Sequence, residues 1–377
     1  MENLMIKVLG NNYQESELKS KRISSITIRN CPFCGGQWKL NVNAEKGVYR
    51  CARCGESGNA IKLNATLNGI TYEESEKQLR ADKKPPKKIE MVGAKELPVA
   101  SLERRDAIYS SIIKHGICSA EQAQDLARRG MSEDQYRWYA TVVGGLNDSF
   151  TTWCRGESHG FIENGKVRGI PGLYGKVAKD GIGNEITDDI HLNLPKNIGY
   201  LIPVISHTGT KPAISCMQIR HLNSNSKVRY TFFTSGDDKL KNGSSVNECN
   251  KIHYTRNFWQ DGKLAVPETV NLTEGALKAD VASVLSSQPF IAILGVNNTR
   301  DLPQELQFLK AHGCKKINVC FDMDYEKNKY VAKALSEIIL TIKDSGLIPR
   351  KIVWNNQYKG IDDYLLSVSR GEAAVKN

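Results

Sequence analysis

Four cysteines near the N-terminus are spaced as two pairs that can bind one metal ion. They follow the pattern Cys-x2-Cys-x16-Cys-x2-Cys and are Cys31, Cys34, Cys51 and Cys54. A glycine follows each pair, where a tight turn requires a residue that tolerates a positive φ. Four thiolates in a tetrahedron favour zinc, and a zinc site with no open position is structural. An iron–sulfur cluster is the alternative metal group.

A second set of candidate residues is acidic and lies much later in the chain. Glu274 ends one apolar run, and Asp322 and Asp324 end another about 48 residues on. Because the carboxyl ends of parallel strands meet at one edge of a sheet, we expect these three carboxylates to converge. Oxygen ligands in an incomplete cage suit Mg²⁺ (or Mn²⁺) and would leave room for substrate phosphates. The alternative is that these acids cap the helices that follow them.

Asp362 is a further candidate magnesium ligand. It lies in the run Lys359-Gly360-Ile361-Asp362-Asp363, a few residues after the last predicted strand. The alternative here is a helix N-cap at Asp362 or Asp363. If the acids form one cluster, removing one carboxylate should relieve mutual repulsion. We therefore expect Asp322→Asn to leave stability unchanged or slightly higher.

The elements that must position these acids alternate between strand and helix from residue 269 onward. Strands are predicted at 269–273, 290–294, 317–321 and 351–354. Helices are predicted between them at 276–285, 302–311 and 330–342. Near-continuous apolar strands separated by amphipathic helices predict a parallel sheet that is covered on both faces.

The rest of the chain predicts an α/β protein of several domains. We assign 1–80 to a zinc-ribbon domain, 81–100 to a basic linker with two prolines, 101–268 to a helical and then β-rich middle segment, and 269–377 to the α/β module. Helices are expected over 101–140, where Ser119 with Gln122 and Ser132 with Gln135 fit capping boxes. Apolar runs at 200–205, 214–219 and 228–233 predict antiparallel strands. The six cysteines outside the cluster are expected to be buried.

Charge and composition narrow the class of partner. The net charge is +11, and residues 1–100 carry 17 Lys and Arg against 11 Asp and Glu. A local basic excess indicates a polyanion, most commonly nucleic acid; a solvated basic surface is the alternative. No apolar run reaches the roughly 20 residues of a membrane span, and the N-terminus has no signal-peptide pattern. We therefore expect a cytoplasmic protein without a membrane partner.

These motifs together resemble a known family. A glutamate after the first strand and an Asp-x-Asp after the third resemble a toprim domain, and behind a zinc ribbon they resemble the DnaG-type primases of bacteria, phages and mobile elements. The segments Gln218-Ile219-Arg220 and Lys227-Val228-Arg229-Tyr230 are similar to the primase region beside the toprim, and the run from Lys359 to Tyr364 resembles its Lys-Asp-Pro-Asp motif.

The resemblance implies a DNA-dependent RNA polymerase that makes short primers on single-stranded DNA from ribonucleoside triphosphates. Magnesium would be held by Glu274, Asp322 and Asp324, with Asp362 as the further candidate. Nucleotide or template binding is assigned to a basic set comprising Arg220, Lys227, Arg229 and Lys278. The protein would work in the cytoplasm at the nucleoid.

The sequence departs from the family pattern in two places. Most bacterial primases have a histidine where this chain has Cys34. The sequence ends at Asn377, soon after the α/β module, and has no Gly-x4-Gly-Lys-[Ser/Thr] motif, so we expect a separate replicative helicase to be the candidate partner. A toprim nuclease or nicking enzyme and a non-catalytic DNA-binding replication accessory protein are the alternative functions.

Overall fold

The computed structural model describes residues 4–22, 25–44, 46–81, 98–142, 169–179, 181–182, 185–195, 198–222, 228–236, 243–295, 298–323 and 329–372. Two predicted site residues, Asp324 and Lys227, lie outside the described residues, as does Cys154 and most of the predicted linker. The chain divides into two compact units, and their described residues fall within 1–95 and 96–377 respectively.

The described residues of the first unit form a five-stranded antiparallel sheet with three α-helices. Its elements are α1 (Leu4–Asn12), β1 (Leu18–Arg22), β2 (Ser25–Asn30), β3 (Gln37–Asn43), β4 (Val48–Cys51), β5 (Ser57–Asn59), α2 (Ala60–Asn68) and α3 (Tyr72–Ala81). The sheet order is β1-β2-β3-β4-β5. Side chains alternate between the two faces of a strand, and Ile26, Ile28, Leu40 and Val42 supply the buried face of β2 and β3. Because consecutive strands run antiparallel, the β2–β3 and β4–β5 loops lie at the same end of the sheet, and these two loops carry the cysteine pairs.

The second unit begins with helices and an antiparallel sheet. Its first elements are α4 (Leu102–His115), α5 (Ala120–Arg128), α6 (Glu133–Tyr136), β6 (Ala140–Val142), β7 (Leu173–Lys179), β8 (Glu185–Leu192), β9 (Gly199–Thr208), β10 (Lys211–His221) and β11 (Tyr230–Phe232). Strands β11-β10-β9-β6 form one antiparallel sheet, and β7 pairs with β8 as a hairpin. The antiparallel strands predicted for this segment are thus confirmed, although the third begins at Tyr230 rather than at 228.

The remainder of the second unit is the predicted strand–helix alternation. It comprises β12 (Ile252–Tyr254), β13 (Trp259–Gln260), β14 (Lys263–Leu264), β15 (Thr269–Glu274), α7 (Ala276–Ser286), β16 (Phe290–Ile293), α8 (Leu302–Ala311), β17 (Lys316–Val319), α9 (Lys329–Asp344), β18 (Ile348–Lys351) and α10 (Ile361–Ser369). The sheet order is β12-β16-β15-β17-β18, with parallel pairing from β16 to β18. Sequence analysis missed β12, which pairs antiparallel with β16 at the edge.

The predicted fourth strand at 351–354 is wrong in position. The strand is Ile348–Lys351, at the edge of the sheet, and Ile348 on it is 56% exposed. Trp354 leaves the sheet, is buried, and donates from its indole N–H to the carbonyl of Tyr358 at 2.9 Å. The apolar residues that suggested a strand, Ile352 and Trp354, instead pack against α10, and the preceding residues pair with β17.

Two hydrogen bonds bring the carboxyl ends of β15 and β17 and the loop before α10 together. The Thr273 hydroxyl, on β15, donates to the carbonyl of Cys320 at 2.9 Å. The backbone N–H of Met323 donates to the carbonyl of Lys359 at 3.0 Å. The segment after β17 is thereby tied on one side to β15 and on the other to the loop that begins α10.

The scattered cysteines are buried in all but one of the described cases. Cys216, Cys249, Cys314 and Cys320 are buried, as expected. Cys118 is exposed, which contradicts the prediction, because it lies in the short connection between α4 and α5. Within the described ranges, no helix is long and apolar enough to cross a membrane.

Candidate functional site

The four clustered cysteines of the first unit are arranged for a tetrahedral metal ion. Their Sγ atoms all lie within 4.8 Å of one another, and those of Cys34 and Cys51 are 3.8 Å apart. A Zn–S bond of about 2.3 Å in a tetrahedron requires sulfur atoms about 3.8 Å apart. The donor set and its spacing therefore fit zinc, and the four ligands leave no open position for a substrate.

The two cysteine pairs sit in matching turns. The N–H of Gly35 donates to the carbonyl of Cys31 at 2.8 Å, and the N–H of Gly55 donates to that of Cys51 at 3.0 Å. Both glycines have positive φ, +65° and +72°, which explains why glycine follows each pair. Burial raises the pKa of Cys54 to about 11, so this thiol must lose its proton as a metal binds.

The aromatic residues of this unit divide between its core and its surface. Tyr49 is buried and stacks on Phe33 with ring centroids 5.4 Å apart, so it belongs to the core. Trp38 is partly exposed and lies under the ammonium of Lys19, 4.0 Å from the ring centroid. The basic side chains between and within the cysteine pairs are exposed; these are Lys39, Lys46, Arg50 and Arg53. They present positive charge to solvent around the metal cluster.

In the second unit, one cavity collects most of the predicted acidic and basic residues. It has a volume of about 520 Å³, and the predicted residues lining it are Glu274, Asp322, Asp362, Arg220, Arg229 and Lys278. Glu274 ends β15, Asp322 follows β17, and Asp362 lies in the first turn of α10. Glu274 and Asp322 therefore meet at the carboxyl edge of the sheet, as expected, and Asp362 lines the same cavity; Asp324, the third acid of that expectation, lies outside the described residues.

Both carboxylate oxygens of Asp322 are paired with lysines. Lys278, in the first turn of α7, contacts Oδ1 through Nζ, and Lys359 Nζ lies 3.6 Å from Oδ2. The side chains of Asp322 and Lys278 are 14% and 18% exposed. Burial alone would lower the pKa of Lys278, but the carboxylates of Asp322 and Asp362 raise it overall, so the ammonium is charged. Sequence analysis assigned Lys278 to nucleotide or template binding and missed this ion pair.

The two aspartates at the start of α10 have different roles. The carboxylate of Asp363 accepts the backbone N–H of Gly360 at 3.2 Å and so caps the helix. Asp362 is 6% exposed, and its Oδ1 has no hydrogen-bond partner. Burial raises the pKa of the Asp362 carboxyl. The cap interpretation therefore applies to Asp363, and the Asp362 carboxylate is left to face the cavity.

A cluster of arginines lines the same cavity and was mostly missed by sequence analysis. Asp125, buried at the end of α5, holds Arg129 Nε and Arg220 Nε, each 3.4 Å from its Oδ2. Tyr200 donates its hydroxyl to the same oxygen at 2.9 Å. A second cavity of about 570 Å³ adjoins these residues and is lined also by Arg128, Arg229 and Arg370. The pair Arg128-Arg129 at a helix end was the available signal in the sequence.

Among the residues that the structure describes, Arg129 joins the arginine cluster to the carboxylates at the start of α10. Arg129 Nη1 lies 3.6 Å from Asp362 Oδ2, and the guanidinium of Arg220 lies over the ring of Tyr230 with 5.0 Å to its centroid. Fixed guanidinium groups bind phosphate oxygens without a large cost in side-chain ordering. The cavity is therefore lined both by guanidinium groups, which can bind phosphates, and by carboxylates, which can bind a cation.

The carboxylates are suitable ligands for Mg²⁺, but the described ones do not form a closed cage. Within the described part of the chain, the four cysteines are the one group of three or more Cys, His, Asp or Glu side chains close enough to share an ion. The buried, unpartnered Oδ1 of Asp362 fits a cation. Asp322, in contrast, already has ammonium groups on both oxygens.

Comparison with known proteins gives two family matches on separate parts of the chain. Residues 10–91 match the DnaG zinc-ribbon family described as "CHC2 zinc finger". Residues 258–373 match a family described as "Domain of unknown function (DUF3854)". The first match covers all four cysteines, and the second covers Glu274, Asp322 and Asp362.

One curated relative is similar over a short segment. The DNA primase of Lactococcus lactis subsp. lactis is 44% identical over 50 residues, which is 13% of this chain and 8% of that protein. Among solved structures, the zinc-binding and RNA polymerase domains of the Aquifex aeolicus primase align with 99% of this chain and 84% of theirs, at 14% identity and a TM-score of 0.45. The primase fragment of the bacteriophage T7 primase-helicase aligns with 94% of this chain and 97% of its own, at 13% identity and a TM-score of 0.34.

The cysteine geometry, the zinc-ribbon family match and the segment shared with a curated primase agree with one another. This chain is similar to the DnaG-type DNA primases, and its N-terminal region carries their zinc ribbon, with Cys34 in the ribbon's second ligand position.

Proposed function

We propose that this chain is a DNA primase that joins ribonucleotides into short RNA primers on single-stranded DNA. The observation that carries the proposal is that Glu274, Asp322 and Asp362 line one cavity together with Arg129 and Arg220. Nucleotidyl transfer needs carboxylates to hold a metal ion and cationic groups to bind phosphates, because the reaction depends on positioning and on neutralising negative charge. The similarity to a primase over 50 residues supports the same reaction.

The α/β part of the second unit is, in this proposal, a toprim domain. Its parallel strands β16-β15-β17-β18 carry a glutamate at the end of β15 and Asp322 just beyond β17, in the positions that the toprim resemblance requires. Asp324 would be the second aspartate of the Asp-x-Asp motif.

The roles within the cavity follow from chemistry and placement. Glu274, Asp322, Asp324 and Asp362 would hold Mg²⁺. Bound there, Mg²⁺ would neutralise the triphosphate oxygens and lower the pKa of the attacking 3′-hydroxyl.

The basic residues would orient the nucleic acid and the nucleotide. Arg220 is held by Asp125, so its guanidinium is preorganised for a phosphate. Arg229 lines both cavities and is exposed, which suits contact with the template strand or a triphosphate. Lys227 is assigned to the same function from the sequence, and Lys278 is assigned to the phosphates.

The zinc ribbon would hold the template through its exposed basic side chains, with zinc in a structural role. Single-stranded DNA binding of this kind combines a basic surface with stacking side chains, and the partly exposed Trp38 is the aromatic candidate. Ribonucleoside triphosphates are the proposed substrates, and a separate replicative helicase is the proposed partner. The protein would then act in the cytoplasm at the nucleoid.

The test is synthesis of dinucleotides and short RNA from ribonucleoside triphosphates and Mg²⁺ on a panel of single-stranded DNA templates. Wild type should form template-dependent product, and Glu274→Gln should reduce it by at least about a hundredfold. Lys315→Met is the matched control, because Lys315 is a surface lysine paired with Glu268 away from the cavity. Cleavage of the DNA without RNA product would indicate the nuclease alternative, and neither activity on any template would contradict the proposal.

A further inference from the structure

Both carboxylate oxygens of Asp322 already have a lysine ammonium nearby, so neither is open to a metal ion without a change in the site. Lys278 contacts one of its oxygens, and Lys359 lies 3.6 Å from the other. The Lys278 side chain is 18% exposed and lies on the cavity wall, whereas the Lys359 side chain is 65% exposed. Lys278 is therefore the cation that is held within the site, whereas Lys359 approaches Asp322 from the solvent side.

The surroundings of Lys278 are built to accept its ammonium. It lies four residues after Glu274, in the first turn of α7, and lines the same cavity as the carboxylates of Glu274, Asp322 and Asp362. Gly360 leaves the space for it, because a Cβ at that position would lie 3.2 Å from Lys278 Cε and would overlap Asp362 Oδ1. The absence of a side chain at Gly360 thus allows a lysine and a buried aspartate to share one corner of the cavity.

We propose that Lys278 is the resident cation of this carboxylate group, and that a divalent metal ion can bind Asp322 only after Lys278 has moved to another anion. An ammonium and a metal ion compete for the same oxygen, so they cannot both hold Oδ1. Phosphate groups of a nucleoside triphosphate are the anion that would draw Lys278 away, and in naming them the inference rests on the proposed function. Nucleotide and metal ion would then bind cooperatively, since each favours the displaced position of Lys278.

The position of the arginines supports this exchange. Arg129, Arg220 and Arg229 line the same cavity as Lys278, so a triphosphate bound by them would bring oxygen atoms to the lysine. Rotation of a long lysine side chain moves its ammonium by several ångströms without moving α7. The energy needed is the loss of the ion pair with Asp322, which the phosphate contact offsets.

The experiment measures binding of Mn²⁺ to the zinc-loaded full chain without nucleotide, by electron paramagnetic resonance or calorimetry. Lys278→Met should bind Mn²⁺ about tenfold or more tightly than wild type, because the competing cation is gone. Lys278→Arg, which keeps the charge, and Lys315→Met, which removes an ion-paired lysine elsewhere, should both bind as wild type does. Adding Asp322→Asn to Lys278→Met should remove the gain.

A second measurement tests the other half of the exchange. Binding of ATP without added divalent metal should weaken at least about fivefold in Lys278→Met and should be retained in Lys278→Arg. Equal Mn²⁺ affinity in wild type and Lys278→Met, or a gain that survives Asp322→Asn, would overturn the inference. Circular dichroism of each variant establishes that it is folded. Neither measurement requires primer synthesis. Absence of primase activity would therefore refute the proposed function, whereas only the Mn²⁺ and ATP affinities test this inference.

Discussion

The ion pairs of Asp322 reverse an expectation drawn from the sequence, that Asp322→Asn relieves repulsion and leaves stability unchanged or higher. In the structure the carboxylate attracts two lysines, and the Lys278 side chain is only 18% exposed. Breaking a buried pair by removing one partner costs about 3–5 kcal/mol, and an exposed pair about 0–1 kcal/mol. Asp362 and Glu274 still attract Lys278, so we expect Asp322→Asn to lower the free energy of unfolding by about 2 kcal/mol.

The assay is thermal unfolding of the full chain without divalent metal, followed by circular dichroism. A loss of this size corresponds to a fall of about 4–8 °C in the Tm of a unit of this length. The matched control is Asp363→Asn, because Asp363 is a neighbouring acid without a lysine partner in the described ion pairs, and the amide oxygen of asparagine can still accept the backbone N–H of the N-cap residue Gly360. A Tm for Asp322→Asn that equals or exceeds that of wild type would refute the reasoning, and so would an equal fall in both variants.

Three further changes have expected outcomes. Cys51→Ser should reduce bound zinc from about one per chain to well under half and unfold the first unit, because metal binding supplies folding energy in so small a domain; full zinc content by elemental analysis would contradict this. Gly360→Ala should lower primer synthesis about tenfold while Tm changes little, because its Cβ overlaps the Asp362 carboxylate; unchanged activity would show that the position of Asp362 does not matter. Tyr139→Phe should cost about 1–3 kcal/mol in urea unfolding, because the Tyr139 hydroxyl donates to buried Asp280 at 2.7 Å, and a loss below about 0.5 kcal/mol would speak against that role.

The parts of the fold that could be predicted from the sequence are those that local patterns determine. The cysteine spacing gave the metal cluster, and apolar periodicity gave β15, β16 and β17 close to their observed bounds. Ser132 and Gln135 form the expected capping box, with the backbone N–H of Ser132 donating to Gln135 Oε1 at 2.8 Å.

The errors come from positions where tertiary packing decides. Gln122 does not complete a capping box with Ser119, because its amide is buried and donates to the carbonyls of Tyr136 and Tyr139 at 3.0 and 3.3 Å. Strand β18 was displaced by three residues because an edge strand need not be apolar, and the apolar residues nearby pack elsewhere.

In the candidate site, too, the residues set by local patterns could be predicted, and the contacts set by tertiary packing could not. The acids could be placed because strand ends converge in a parallel sheet, and this needs only the order of strands and helices. The pairing of Lys278 with Asp322 joins residues 44 positions apart. The arginine pair at the end of α5 belongs to the helical part of the second unit and is far in sequence from Asp362, which Arg129 contacts. Neither contact has a signature in local spacing, so the residue types could be predicted from the sequence but their partners could not.

The central claim is tested most directly by measuring template-directed RNA synthesis for wild type and Asp322→Asn. Both proteins are first shown to be equally folded, and each is assayed with Mg²⁺ and then with Mn²⁺. We predict RNA product whose sequence follows the template for wild type, a loss of at least about a hundredfold for Asp322→Asn with Mg²⁺, and partial recovery with Mn²⁺. A folded Asp322→Asn protein that makes primers at the wild-type rate would contradict the assignment of this cavity as the site of nucleotidyl transfer.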